Sequence, residues 1–195
     1  MMKTSAFSKV EQSFFDASGR DAYTTMIPYI VVPNVPALGM LAALRFLEWV
    51  DGNPEGVISL PTGKTPEYFI KWTSRLLNGW DDKENRALME RHGLSLQKKP
   101  SLRGLRFVQT EDFYPIDPEQ HNSYYHYVTN FYIRGFDLDP TRALLINANE
   151  IQLAQGKHYS EVFPDNIIDL SLRNREAGSN LEKLQQESLF RIDNW

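Results

Sequence analysis

Short apolar runs alternate along this chain with stretches in which apolar residues recur every three or four positions. Runs of the first kind are Ile27 to Val32, Gly56-Val-Ile-Ser-Leu60, Leu105-Arg-Phe-Val-Gln109 and Ala143-Leu-Leu-Ile146, and they read as buried strands. Between the first two, Asn34 caps a helix in which Met40, Leu41, Leu44, Leu47 and Val50 keep helical spacing until Gly52-Asn-Pro54 ends it. A second helix is predicted with Thr65 as cap and Pro66 at its first position, running to about Leu77 with Phe69, Ile70, Leu76 and Leu77 on one face. A third opens at Asn122 or Ser123 and carries Tyr124, Tyr125, Val128, Phe131 and Tyr132 on its apolar side. Strand and helix in turn predict an α/β fold, doubly wound and Rossmann-like, around a mostly parallel sheet.

The remaining segments fit that pattern less well. Residues 1–26 are polar with scattered aromatics (Phe7, Phe14, Phe15, Tyr23) and suggest a docking arm or a short helix. Residues 78–104 and 150–178 read as irregular insertions, the first a charged surface excursion with one short helix. Ser179-Asn-Leu-Glu182 has the form of a capping box and starts a helix carrying Leu181, Leu184, Phe190 and Ile192. The whole of residues 1–195 is expected to be one domain whose α/β architecture is incomplete at the C-terminal end.

Composition narrows the function classes. With 42% hydrophobic residues the chain can fill a sizeable core. A net charge of -4 leaves no basic field beyond a small cluster at Lys98, Lys99, Arg103 and Arg106, so a nucleic-acid partner is not indicated. No apolar run reaches membrane length, and the first eleven residues lack the apolar stretch of a signal peptide. No membrane partner is expected, and a cytoplasmic location is the default. The absence of cysteine excludes disulfides, thiolate chemistry and Cys-based zinc sites. His121 and His126 flank the third helix start without a His-x-x-x-His pair backed by a carboxylate, so no metal is expected. No Gly-x-Ser-x-Gly elbow and no Gly-x-Gly-x-x-Gly fingerprint is present, which disfavours a serine hydrolase and a dinucleotide cofactor.

Two places carry candidate chemistry. In Leu60-Pro-Thr-Gly-Lys-Thr-Pro66, a strand gives way through a glycine turn to a helix N-terminus. That order points free backbone N–H groups and the positive helix end at one spot, where an anion is favoured. Pro61, Thr62, Gly63, Lys64 and Thr65 are the candidate binding residues, with Lys64 and the two threonine hydroxyls adding charge and donors. Gly63-Lys64-Thr65 is like the end of a Walker loop, but that motif needs glycine where Ile58 stands. Prolines on both sides stiffen the turn and suit a monophosphate on a sugar-sized ligand. The second place is Glu111-Asp112, at the carboxyl end of the third strand, where ligands sit in open α/β sheets. Adjacent residues of an extended segment point opposite ways, so one of the two acids would face a ligand and act in proton transfer. The same acids would equally serve to cap the following helix or to pair with Arg106.

Three segments in order resemble the glucosamine-6-phosphate deaminase (isomerase) family. Leu60-Pro-Thr-Gly-Lys-Thr-Pro66 is similar to its Leu-Pro-Thr-Gly-x-Thr-Pro phosphate loop, and Glu111-Asp112-Phe113 lies where the family has Asp-Glu-Tyr. His121-Asn-Ser-Tyr-Tyr125, Asn130-Phe-Tyr132 and Asp137-Leu-Asp-Pro140 match its Ser-Tyr, Asn-Phe-Phe and Asp-Ile-Asp stretches. The resemblance spans roughly residues 27–149. It implies that a carboxylate takes a proton from C2 of an open-chain amino sugar phosphate and returns it to C1, with release of ammonia and fructose 6-phosphate. It implies a phosphate role for Thr62 to Thr65, the proton-transfer role for Glu111 with Asp112 beside it, no cofactor, and a homo-oligomer. The family's base is aspartate, one methylene shorter than Glu111. Its second signature, Gly-x-Asp-Gly-His-Ile-Ala-Phe-Asn-Glu-Pro, has no counterpart before Trp195. The expectation is therefore the front portion of a longer enzyme, with little or no turnover by this polypeptide alone. Two alternatives share the fold: a 6-phosphogluconolactonase-type hydrolase, against which Phe113 stands in place of that family's arginine, and a non-catalytic sugar-phosphate sensor.

Overall fold

The computed structural model describes residues 7–19, 29–165 and 167–195. Helix α1 (Lys9–Ala17) opens with a capping box in which the Ser8 hydroxyl accepts from the Glu11 amide at 3.2 Å and the Glu11 carboxylate accepts from the Ser8 amide at 2.7 Å. Of the docking arm or short helix expected in residues 1–26, the helix forms over Lys9–Ala17, while residues 1–6 and 20–26 lie outside the described residues. The first expected strand is not formed: residues 29–32 have no regular structure, and Ile27 and Pro28 lie outside the described residues. Helix α2 (Val35–Gly52) forms as predicted, with the Asn34 side chain accepting from the Ala37 amide at 2.9 Å. It packs closely on α3 (Glu67–Asn78). A Cβ on Gly39 would sit 2.4 Å from the Tyr68 Cβ, so this contact requires glycine.

Three short strands, β1 (Val57–Ile58), β2 (Arg106–Val108) and β3 (Ala143–Leu144), make a parallel sheet in the order β1-β2-β3. The other three expected strands appear in shortened form. The fold is therefore α/β, with helical crossovers between parallel neighbours. Register places Ile58, Phe107 and Ala143 on one face, which is turned to the core. Val57, Arg106 and Leu144 share the other face and are exposed, Val57 to 61% and Leu144 to 69%.

Residues 78–104 are more than a surface excursion. They form α4 (Lys83–Arg91) and bury Trp80, Met89, Leu94 and Leu102 in the main core beside Leu44, Leu76, Phe107 and Tyr132. The buried side chain of Asn85 anchors the segment. It donates to the Gly79 carbonyl at 2.8 Å and accepts from Arg75 Nε at 2.9 Å, joining the end of α3 to α4. The sequence signal missed this because charges dominate the segment and its four core residues follow no single period.

The chain divides into two compact units. The first takes the residues up to Thr110 together with Tyr127–Leu145 and contains the sheet and the main core. The second takes Glu111–His126 and Ile146–Trp195 and has its own small core of Leu153, Val162 and Phe163, with Ile168, Leu184 and Ile192 against it. Among its described residues between 150 and 178 it holds 3-10 turns and the single-turn helix α6 (Tyr159–Val162). The long helix α7 (Asn180–Asn194) starts where predicted, the Ser179 hydroxyl accepting from the Glu182 amide at 3.1 Å. The reciprocal half of the box is replaced, because the Glu182 carboxylate accepts from the Gly178 amide. Leu181 and Phe190 are exposed, at 42% and 68%; α7 turns Ser188 and Leu189 inward instead.

Candidate functional site

The turn after β1 is built on one backbone requirement. Gly63 has φ +85°, a left-handed conformation costly to any residue with a Cβ, while the space around a Cβ there is open. Glycine therefore serves the turn rather than a close approach. Thr65 does not cap α3: Pro66 occupies the cap position, no side chain bonds to the helix start, and Pro66 bends the chain with φ -82° and ψ 6°. Its carbonyl accepts from the Ile70 amide at 2.9 Å, so the helix begins without a side-chain cap.

The polar groups of this turn are sorted by direction. Among the described residues, none accepts a hydrogen bond from the amides of Thr62, Gly63, Lys64 or Thr65. The carbonyls of Pro61 and Gly63 are engaged: the Tyr132 hydroxyl donates to Pro61 O, and the Tyr127 hydroxyl donates to Gly63 O at 2.9 Å. Two of the turn's carbonyls are thus tied back by phenols, and that of Lys64 by the Glu67 amide, while its donors stay open. Lys64 is exposed and forms no salt bridge among the described residues. Its ammonium helps, after that of Lys71, to hold the Glu67 carboxyl below the ordinary range. Burial pushes the Tyr132 hydroxyl far above its ordinary pKa, and burial with the nearby Glu67 raises that of Tyr127. Both phenols stay protonated at neutral pH and act as donors.

The two tyrosines follow β2 on the way to β3. Helix α5 (Tyr124–Val128) widens into a π-helical turn at Thr129–Arg134. Residues five apart stand about 140° apart on an α-helix but close to one turn apart on a π-helix. Tyr127 and Tyr132 thus reach the same loop, their rings edge to face with centroids 6.0 Å apart. The widening also moves Phe131 out of the expected apolar face, to 46% exposure, and buries Ile133 beside Tyr132. The sequence gives no sign of a site role for Tyr127, and Tyr132 reads there as part of an apolar helix face. Periodicity carries no signal for a π turn, and only the repeated aromatics marked the segment.

Glu111 and Asp112 begin the second unit and differ in their surroundings. Asp112 binds four donors. One oxygen accepts from the Phe113 amide at 2.8 Å and the Tyr124 amide at 3.0 Å, the other from the Ser123 hydroxyl at 3.0 Å and the Tyr125 amide at 2.8 Å. Ser123 is fully buried and accepts in turn from the His126 amide at 3.3 Å. Asp112 and Ser123 together close the start of α5, the capping alternative open to these acids from sequence. Glu111 is exposed. Pro61 to Thr65 thus lie together in the first unit, Glu111 and Asp112 together in the second. Within the first unit, β1 and β2 are parallel neighbours, so Leu60 and Thr110 leave the sheet at the same carboxyl edge. Among the described residues no group of three or more His, Asp or Glu side chains comes together as a metal would need, and no helix is long and apolar enough to cross a membrane.

Comparison with known proteins gives little. No protein-family model matches the chain, and no curated protein matches it. A solved structure described as a monomeric glucosamine-6-phosphate deaminase, a missing link of the NagB superfamily, matches with 20% identity and a TM-score of 0.48. The match covers 60% of this chain and 42% of that one, so this chain accounts for less than half of the solved structure. A likeness of this size carries no functional argument.

Proposed function

We propose that the chain binds the phosphoryl end of a sugar phosphate at Pro61–Thr65, and that its chemistry is that of an amino sugar phosphate isomerase and deaminase. The observation that carries the reading is the sorted polarity of the turn. Open amides of Thr62 to Thr65, the N-terminus of α3 and the Lys64 ammonium all favour an oxyanion, and the carbonyls of Pro61 and Gly63 are engaged by phenols. Leu60-Pro-Thr-Gly-Lys-Thr-Pro66 and Glu111-Asp112-Phe113 support the sugar-phosphate class through their resemblance to the deaminase family. In this proposal Glu111 takes the proton from C2 of the open-chain substrate and returns it to C1. That transfer leaves an iminium at C2, water adds there to give a carbinolamine, and the carbinolamine expels ammonia to leave the ketose phosphate. Asp112, with its oxygens bound to four donors, holds the adjoining loop instead of exchanging protons. A non-catalytic sensor is the second reading, favoured by that engagement, since it leaves one acid for chemistry.

Titration calorimetry with glucosamine 6-phosphate and with glucosamine tests the binding claim. Phosphate-dependent binding that weakens at least tenfold in Lys64→Ala is expected; equal binding of both sugars, or of neither, refutes it. Ammonia release from glucosamine 6-phosphate that disappears in Glu111→Gln favours the enzyme over the sensor. Binding without release favours the sensor.

A further inference from the structure

We propose that Tyr127 and Tyr132 are positioning residues that make the Pro61–Thr65 turn selective for an oxyanion, and that the π-helical turn at Thr129–Arg134 exists to bring their two hydroxyls onto it. The inference rests on the reading of that turn as the phosphate site and adds how its polarity is set. A free glycine-containing turn exposes carbonyls as readily as amides, so it greets cations and hydroxyl donors as well as anions. In this chain the carbonyls of Pro61 and Gly63, two residues apart, are both capped by phenols. No side chain of the turn itself does this, and no α-helix would align residues 127 and 132 to do it. The buried Tyr132 ring lies in the main core and touches Phe107 and Phe136, with centroids 5.9 Å and 5.5 Å away. Its hydroxyl therefore reports the position of the core to the turn. Tyr127 packs its ring against Tyr132 and Phe131, with centroids 6.0 Å and 4.6 Å away. The two phenols form a clamp: one end is fixed in the core, the other on the left-handed glycine. The ligand class follows from the clamp. With the carbonyls of Pro61 and Gly63 held by the phenols and that of Lys64 by the Glu67 amide, four open amides outnumber the carbonyls left in the turn, which favours a phosphoryl or similar oxyanion over an ammonium or a metal cation.

Tyr127→Phe and Tyr132→Phe remove one hydroxyl each and keep both rings, so the core stays filled. Two measurements are made on wild type and both variants: binding of inorganic phosphate and glucosamine 6-phosphate, and the heteronuclear NOE of the Gly63 and Lys64 amides without ligand. Each variant is expected to weaken binding of both ligands by about five- to tenfold and to lower the NOE of the turn, with helical content unchanged. A wild type that binds, with variants that bind equally well and keep the wild-type NOE, overturns the clamp and leaves the phosphate reading standing. A wild type that binds neither ligand overturns the phosphate reading. In that case the NOE still decides the clamp: an unaltered value in both variants refutes it, and a fall supports it as a device that orders the turn.

Discussion

Asp112 is where a structural role and a chemical one separate most clearly, and Asp112→Ala measures the difference. The carboxylate accepts four hydrogen bonds, three of them from the Ser123 hydroxyl and the Tyr124 and Tyr125 amides at the start of α5. Amides in the first helical turn have no intrahelical acceptor, so alanine leaves both unsatisfied along with the buried Ser123 hydroxyl. Hydrogen bonds to a charged acceptor contribute about 1.5–3 kcal/mol each where water is excluded. Asp112 is only partly buried, so water replaces much of what is lost, and the upper end of measured cap losses, about 2 kcal/mol, is the better guide. In a chain of this length that lowers the melting temperature by about 4–8 °C. Asp112→Asn keeps one acceptor oxygen and gives up the charge, so about half that loss is expected. Thermal denaturation followed by circular dichroism reads both variants, with Glu111→Gln as the exposed neighbour expected to stay at the wild-type midpoint. A midpoint for Asp112→Ala within about 1 °C of wild type would show that the cap carries no stability and would return Asp112 to the candidate proton-transfer groups.

Gly63→Ala is expected to cost about 1 kcal/mol, the left-handed backbone penalty alone, since nothing stands within 4 Å of the new Cβ. A melting temperature equal to that of wild type would show that the turn relaxes freely into another conformation. His92 stacks on Phe14, with centroids 4.5 Å apart, and its Nδ1 lies 3.1 Å from the Ser13 hydroxyl; burial, then the charge of Arg91, lowers its pKa. The folded chain therefore binds fewer protons at this site than the unfolded one. Its contribution to stability is full above the unfolded value of 6.5 and is lost as pH falls through the lowered folded value. Denaturation midpoints between pH 7.5 and 5 are expected to fall in wild type and to fall less in His92→Gln; parallel curves would refute the assignment.

What the sequence determined is what acts over three or four residues. The caps at Asn34 and Ser179, the glycine in a left-handed turn and the strand centres near Ile58 and Phe107 all depend on local backbone chemistry, and all were legible. The capping role of the acidic pair was legible only as one of three options, because its donors lie eleven to thirteen residues away from Asp112. Tertiary structure alone decided the rest. Asn85 turned a charged segment into part of the core, by binding groups of α3 that its own sequence neighbours do not reveal. The polarity of the candidate phosphate turn was set by hydroxyls 64 and 71 residues further on, aligned by a helix that leaves the α register. A hydrogen bond across that separation has no local signature, because it depends on how two elements pack and not on the period of either.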